Sequence, residues 1–151
     1  MMIEHMTPCT RKILCPVDFS PGSEAQLRYC SQMNQGEAEI IILHVGNPEE
    51  VDRERLMKDS LHIFSRYSDT LSGYHCRLRF ALDYGNPPAV ITSFALNHDV
   101  DLIVIGSHGS TGIRRLLVGS TTEKVMREAQ CPVAVLKLPG THACPEEPAE
   151  E

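Results

Sequence analysis

The chain has 151 residues and a mass of 16.8 kDa, the size of one domain rather than two. Apolar residues make up 42% and charged residues 23%, which excludes an intrinsically disordered chain. Twenty acidic residues against fourteen basic ones give a net charge of −6, and no basic run or stripe of the kind that neutralises nucleic-acid phosphates is visible, so neither DNA nor RNA is an expected partner.

Strands and helices alternate along the chain. Residues 12–17 (KILCPV) are a short apolar run ending at Asp18, a first strand. Ser20 is placed to cap a helix with Pro21 at its first position, where the missing N–H costs nothing, and Gly36 suits the end of that helix near Gln35. Residues 39–45 (EIIILHV) are too apolar for a half-exposed strand and read as an interior parallel strand, broken by Gly46-Asn47-Pro48. Across 49–72 the apolar positions Val51, Leu56, Met57, Leu61, Phe64 and Leu71 recur at roughly helical spacing, and Gly73 ends the segment. Residues 75–83 (HCRLRFALD) alternate with period two, a strand whose Arg77 and Arg79 place it nearer a sheet edge. Gly85-Asn86-Pro87-Pro88 turns into a helix over 87–98 with Val90, Ile91, Phe94 and Ala95 inward. A buried strand at 101–105 (DLIVI), a Gly/Ser/Thr-rich loop, a helix near 120–129 and a last strand at 132–137 (PVAVLK) complete the series. The predicted organisation is an N-terminal tail (1–10), one domain (11–138) and an acidic C-terminal tail (139–151). Four glutamates sit in the last seven residues, and without them −6 becomes −2.

Five strands separated by helices require crossover connections, hence an α/β fold with one open five-stranded parallel sheet covered by helices on both faces. In such sheets ligands bind beyond the carboxyl ends of the strands, where the strand order reverses. That directs attention to Pro16-Val17-Asp18, to His44-Val45-Gly46 and to the loop beginning at Gly106. The loop runs Gly106-Ser107-His108-Gly109-Ser110-Thr111-Gly112 and on to Val118-Gly119-Ser120-Thr121-Thr122. Glycines let backbone N–H groups approach an anion, and a helix N-terminus adds partial positive charge. Neither the P-loop pattern nor the G-x-G-x-x-G dinucleotide fingerprint is present. On composition alone the same residues also fit an ordinary turn, with Ser120 capping the following helix.

The spacing Gly-x2-Gly-x9-Gly-[Ser/Thr], met by Gly106, Gly109, Gly119 and Ser120, resembles the motif of the nucleotide-binding subgroup of universal stress proteins. Pro16-Val17-Asp18, DFSPGSEAQL and EKVMREAQCPVAVLK extend the resemblance over about residues 11–138. It implies a Rossmann-like, adenine nucleotide alpha hydrolase-like fold and a stress-response regulator that binds ATP or a related adenine nucleotide (ADP or AMP), with Mg²⁺. Gly106, Gly109, Gly119 and Ser120 would surround ribose and phosphates, with the backbone N–H of Thr121. Asp18 would face the ribose and adenine end, Pro16 and Val17 would lie beside the base, and Val45 would contact adenine through its backbone. The resemblance also implies a homodimer through the last strand (132–137) and an unidentified protein partner. Two departures stand out: Ser110 where relatives commonly carry a basic residue, and Thr121-Thr122 where Val-Ala is common. Asp18 suits a turn former before Ser20-Pro21 as well as a ligand contact.

No catalytic set is identifiable, since Asp18 is the one acidic group that can be placed near the ligand. An efficient enzyme is not expected, while slow ATP hydrolysis or self-phosphorylation remains an alternative, as does an interaction module that binds no nucleotide. The apolar runs at 40–43 and 102–105 fall far short of the roughly 20 residues that span a bilayer. The N-terminus lacks the apolar core of a secretory leader, and the six cysteines are scattered, so a cytoplasmic location is expected. His75-Cys76 and His142-x-Cys144 each supply two metal-capable groups, short of a structural zinc set, and no metal is expected there. His108 reads as a loop-packing or solvent-facing residue. Cys15, beside Pro16, can be a redox-sensing thiol, although a buried apolar role is the simpler reading.

Overall fold

The computed structural model describes residues 11–36, 38–107 and 118–137. In chain order the elements are β1 (Arg11–Val17), α1 (Pro21–Met33), β2 (Ala38–Gly46), α2 (Arg53–Thr70), β3 (Arg77–Tyr84), α3 (Pro87–Asn97), β4 (Leu102–Gly106), α4 (Ser120–Glu128) and β5 (Val133–Leu136). The five strands form one parallel sheet in the order β3-β2-β1-β4-β5. The fold class is the one expected from the sequence.

The two-residue period of the strands divides the apolar residues between two cores. Ile13, Cys15 and Val17 of β1 face one way and pack with Ile40 and Ile42 against Leu27 and Cys30 of α1 and Phe64, Tyr67 and Leu71 at α2. Leu14, Ile41, Leu43, Ile103 and Ile105 face the other way, onto Ile91 and Ala95 of α3 and Val125 of α4. The central strands are therefore continuous apolar runs because both faces are covered. The edge strand β3 is only partly covered, with Arg79 and Phe80 both exposed, and Arg79 pairs with Glu39 of β2 at 2.9 Å.

Two sequence readings change. The helix expected within 49–72 forms, but its inward stripe is Ser60, Phe64, Tyr67 and Leu71, while Val51, Met57 and Leu61 stay exposed. Val51 precedes the helix, and the apolar count alone could not fix which face meets the sheet. Ser20 occupies the N-cap position of α1 without a side-chain cap hydrogen bond. Asp18 serves the turn instead: its Oδ1 accepts from the Ser20 N–H and the Ser23 hydroxyl, both at 3.0 Å.

Candidate nucleotide site

Strand order reverses between β1 and β4, whose chain neighbours lie on opposite sides of the sheet. Their paired register covers only Ile13↔Leu102 and Leu14↔Ile103. Lys12 turns its N–H and C=O toward the β4 side, giving the amide to Asp101 and receiving the Asp101 N–H on its carbonyl. By alternation Leu14 and residue 16 face the same way, and residue 16 is proline, with no N–H to give. Gln26 of α1 fills the gap: its Nε2 donates to the Pro16 and Val104 carbonyls, each at 2.9 Å, from a residue only 4% exposed. The two strands part there, and a cavity of about 280 Å³ opens at their carboxyl ends.

The cavity is built from strand ends and helix starts. Pro16, Val17 and Asp18 come from the end of β1, Leu43, His44 and Val45 from β2, and Ile105 and Gly106 from β4. Ser20, Gly22, Ser23 and Gln26 come from the start of α1, Pro87 and Ile91 from α3, and residues 119–122 from the start of α4. Eight of the nine sequence-predicted site residues thus line one cavity, and the ninth, Gly109, lies outside the described residues. His108 and Ser110 lie outside them as well.

The start of α4 is set by two contacts. Gly119, in extended conformation, is the N-cap, so Ser120 is the first helical residue and not the cap. The Gly119 N–H donates to the Ser107 carbonyl at 2.6 Å, and the buried Thr122 hydroxyl donates to the Gly106 carbonyl at 2.7 Å. Helix geometry leaves the N–H groups of Ser120, Thr121 and Thr122 without an intrahelical acceptor. Three helix N-termini, those of α1, α3 and α4, adjoin the same cavity, each carrying partial positive charge. Ile91, Leu43, Ile105 and Pro87 supply apolar wall.

His44 belongs to the β2 end that the sequence pointed to, was not among the predicted ligand contacts, and lines the cavity. Its ring stacks on Phe19 with centroids 3.8 Å apart, and its Nδ1 lies 3.0 Å from the Val17 carbonyl. A carbonyl only accepts, so Nδ1 carries the proton. Burial pushes the imidazole pKa below its ordinary value, against the upward pull of the Val17 carbonyl and the Asp18 carboxylate. The stack supports Phe19, which takes φ 63°, a left-handed backbone costly for an aromatic residue. Phe64 of α2 closes on the same ring edge-on at 5.6 Å. The Tyr67 hydroxyl of α2 also lies near this turn. Burial raises its pKa, while the neighbouring Ser23 hydroxyl opposes the shift. The signal available in the sequence was Phe19 and His44 each flanking a strand end, but nothing in it announced their stacking.

Comparison with known proteins fixes the family. The sequence model of the Universal stress protein family matches residues 10–137. The chain belongs to the universal stress protein family. As such it is 30% identical over 141 residues to universal stress protein MJ0531 of Methanocaldococcus jannaschii, covering 85% of this chain and 83% of that one. It is 26% identical over 158 residues to MJ0577 of the same organism, covering 87% and 98%. The solved structure of MJ0577 superimposes with a TM-score of 0.78 over 87% of this chain and 99% of that one, at 27% identity. Two universal stress proteins solved with nucleotides share the fold at lower identity. One is a complex with cAMP (19% identical, TM-score 0.69, covering 86% and 98%), the other an Archaeoglobus fulgidus protein with dAMP (23%, 0.65, covering 84% and 98%).

Proposed function

We propose that this universal stress protein binds an adenine nucleotide, ATP or its ADP and AMP relatives, in the cavity between β1 and β4. The observation that carries the reading is the convergence of three helix N-termini on one cavity at the point of strand-order reversal, the arrangement that suits a phosphorylated ligand. The cAMP and dAMP complexes of proteins with the same fold support the ligand class. The amides of Ser120 and Thr121 would meet phosphate at the start of α4, with Gly106, Gly109 and Gly119 shaping the approach. Pro16, Val17 and the Val45 backbone would border the base, and Asp18 the ribose.

Asp18 is the one carboxylate among the described wall residues, and its Oδ1 already accepts two hydrogen bonds within the β1–α1 turn. A Mg²⁺ ion keeps several waters and needs few carboxylates, so the residues fit an ion carried in on the phosphates rather than a resident one. Asp18 and His44 both hold the turn in place, which favours occupancy over turnover. The function is then regulatory. Nucleotide occupancy in residues 11–138, between tails at 1–10 and 139–151, alters contact with a protein partner in the cytoplasm during stress.

The test begins with protein purified without added nucleotide, denatured, and its released small molecules separated by chromatography. Titration with ATP, with and without Mg²⁺, follows, using Gly119→Val as control. Gly119 has φ −66° and ψ 162°, an extended backbone that valine also adopts, so the variant adds a branched side chain at the start of α4 without demanding a left-handed conformation, and a circular dichroism spectrum checks that the helix survives. Copurified or tightly bound adenine nucleotide, weakened at least about tenfold in the variant, a difference of about 1.4 kcal/mol, is the expected result. No binding at millimolar ATP overturns the reading.

A further inference from the structure

We propose that Cys15 and Cys30 form a reversible disulfide site, a dithiol that a hydroperoxide converts into a bond pinning α1 to β1. The two sulfurs lie 3.1 Å apart, and both residues are buried, at 0% and 1% exposure. Both are free thiols. A disulfide needs about 2.05 Å, so the sulfurs must close by about 1 Å, within reach of small side-chain rotations. The fold brings the pair together: Cys15 shares the inward face of β1 with Ile13 and Val17, and Cys30 shares the inward face of α1 with Leu27. Two cysteines serving only as small apolar filler have no need to meet sulfur to sulfur.

The oxidation balances with a hydroperoxide as oxidant. The thiolate of one cysteine attacks the peroxide oxygen, the O–O bond breaks, and an alcohol (water from hydrogen peroxide) leaves with that thiol's proton. The resulting sulfenic acid is attacked by the second thiol; the S–S bond forms, the S–O bond breaks, and water leaves with the second proton. Two electrons pass from the sulfur pair to the peroxide. The contact with Cys30 and burial both hold the Cys15 thiol in its protonated form. The site therefore responds slowly, through opening of α1, to sustained rather than brief peroxide. The consequence is local and specific. Cys15 adjoins Pro16, and Cys30 lies one helical turn from Gln26, the residue whose amide bridges the Pro16 and Val104 carbonyls. A bond here ties α1 to β1 behind the cavity, whether or not a nucleotide occupies it.

The full-length protein is treated with hydrogen peroxide, blocked with N-ethylmaleimide in denaturant, and digested with trypsin without reductant. Cleavage after Arg28 separates the two cysteines onto different peptides. Mass spectrometry is expected to find them linked, two mass units below the dithiol sum, in at least about half of the molecules, and restored by dithiothreitol. The linked protein should melt about 5–10 °C higher than the reduced one, as a short closed loop predicts. Cys30→Ala should lose both the linked peptide and the shift. The wild-type peptide map needs no variant and decides the matter even where Cys30→Ala fails to fold. Both sulfurs persisting as thiols while the more exposed Cys76 oxidises would overturn the proposal. So would a link that forms only in urea, or a linked protein that melts below the reduced one.

Discussion

Pro16 faces β4 without an N–H, and the Val104 carbonyl would be left unpaired in the middle of the sheet. The buried Gln26 amide meets it, along with the Pro16 carbonyl. Gln26→Leu keeps the volume and removes both donors, leaving two buried carbonyls without partners. An unsatisfied buried group costs about 1–3 kcal/mol, so the variant should lose about 2–4 kcal/mol in urea unfolding. A loss under about 1 kcal/mol would mean water reaches the gap and the bridge is dispensable. His44 makes a prediction of a different kind. Its folded-state pKa is depressed mainly by burial, so the fold prefers the neutral ring. That preference contributes fully above the unfolded pKa of about 6.5 and is lost as pH falls from there through the depressed folded value. His44→Asn keeps a donor for the Val17 carbonyl but cannot titrate. Urea midpoints measured from pH 7.5 to 5 should fall more steeply for wild type than for the variant; parallel curves would show that His44 titrates in the fold as it does unfolded.

At the scale of elements, α4 is held to β4 by Thr122, whose hydroxyl reaches the Gly106 carbonyl across the loop that separates them in sequence. The pair Thr121-Thr122 stood out in the sequence as a departure from the resembling pattern, and this contact gives the second threonine a task. Thr122→Val preserves shape and leaves the carbonyl unpaired. It should destabilise by about 1–3 kcal/mol in chemical denaturation; an unchanged midpoint would assign the anchoring to the Gly119–Ser107 backbone contact alone. The interior strands β2 and β4 were legible because Ile40 to Leu43 and Leu102 to Ile105 are short consecutive apolar runs bounded by turn residues, the pattern of a sheet covered on both faces. The cavity was legible too, because its walls are strand ends, and strand ends follow from the order of elements. The helix faces were not. In α2 the apolar Met57 and Leu61 point outward while Ser60 and Tyr67 are buried, since burial there follows the angle at which the helix meets the sheet. Nor could the sequence reveal Gln26 or the His44–Phe19 stack, because both join residues distant in sequence through side chains whose types are ordinary in helices and strands.

At the scale of the whole molecule, β5 is the edge strand beside β4 among the described residues. The Pro132 carbonyl accepts from Ile103 and the Leu136 carbonyl from Ser107, so the even-numbered residues of this segment face β4. Alternation turns the N–H and C=O groups of Val133 and Val135 outward, toward whatever pairs with the edge. An apolar strand with outward-facing donors and acceptors invites a second strand, and a copy of itself about a two-fold axis satisfies both edges at once. This favours the homodimer through residues 132–137 that the family resemblance suggests. Val135→Pro tests it cleanly. The substitution deletes an outward N–H and leaves the inward pairing of Ala134 and Leu136 with β4 untouched, and proline is tolerated on sheet edges in just this orientation. The ring also stays apolar where Val135 packs against the α3–α4 side of the sheet. Light scattering coupled to size exclusion should give a dimer for wild type and a monomer for the variant, with far-ultraviolet circular dichroism unchanged. A variant that remains dimeric, or a wild type that is monomeric at tens of micromolar, would move the interface away from β5.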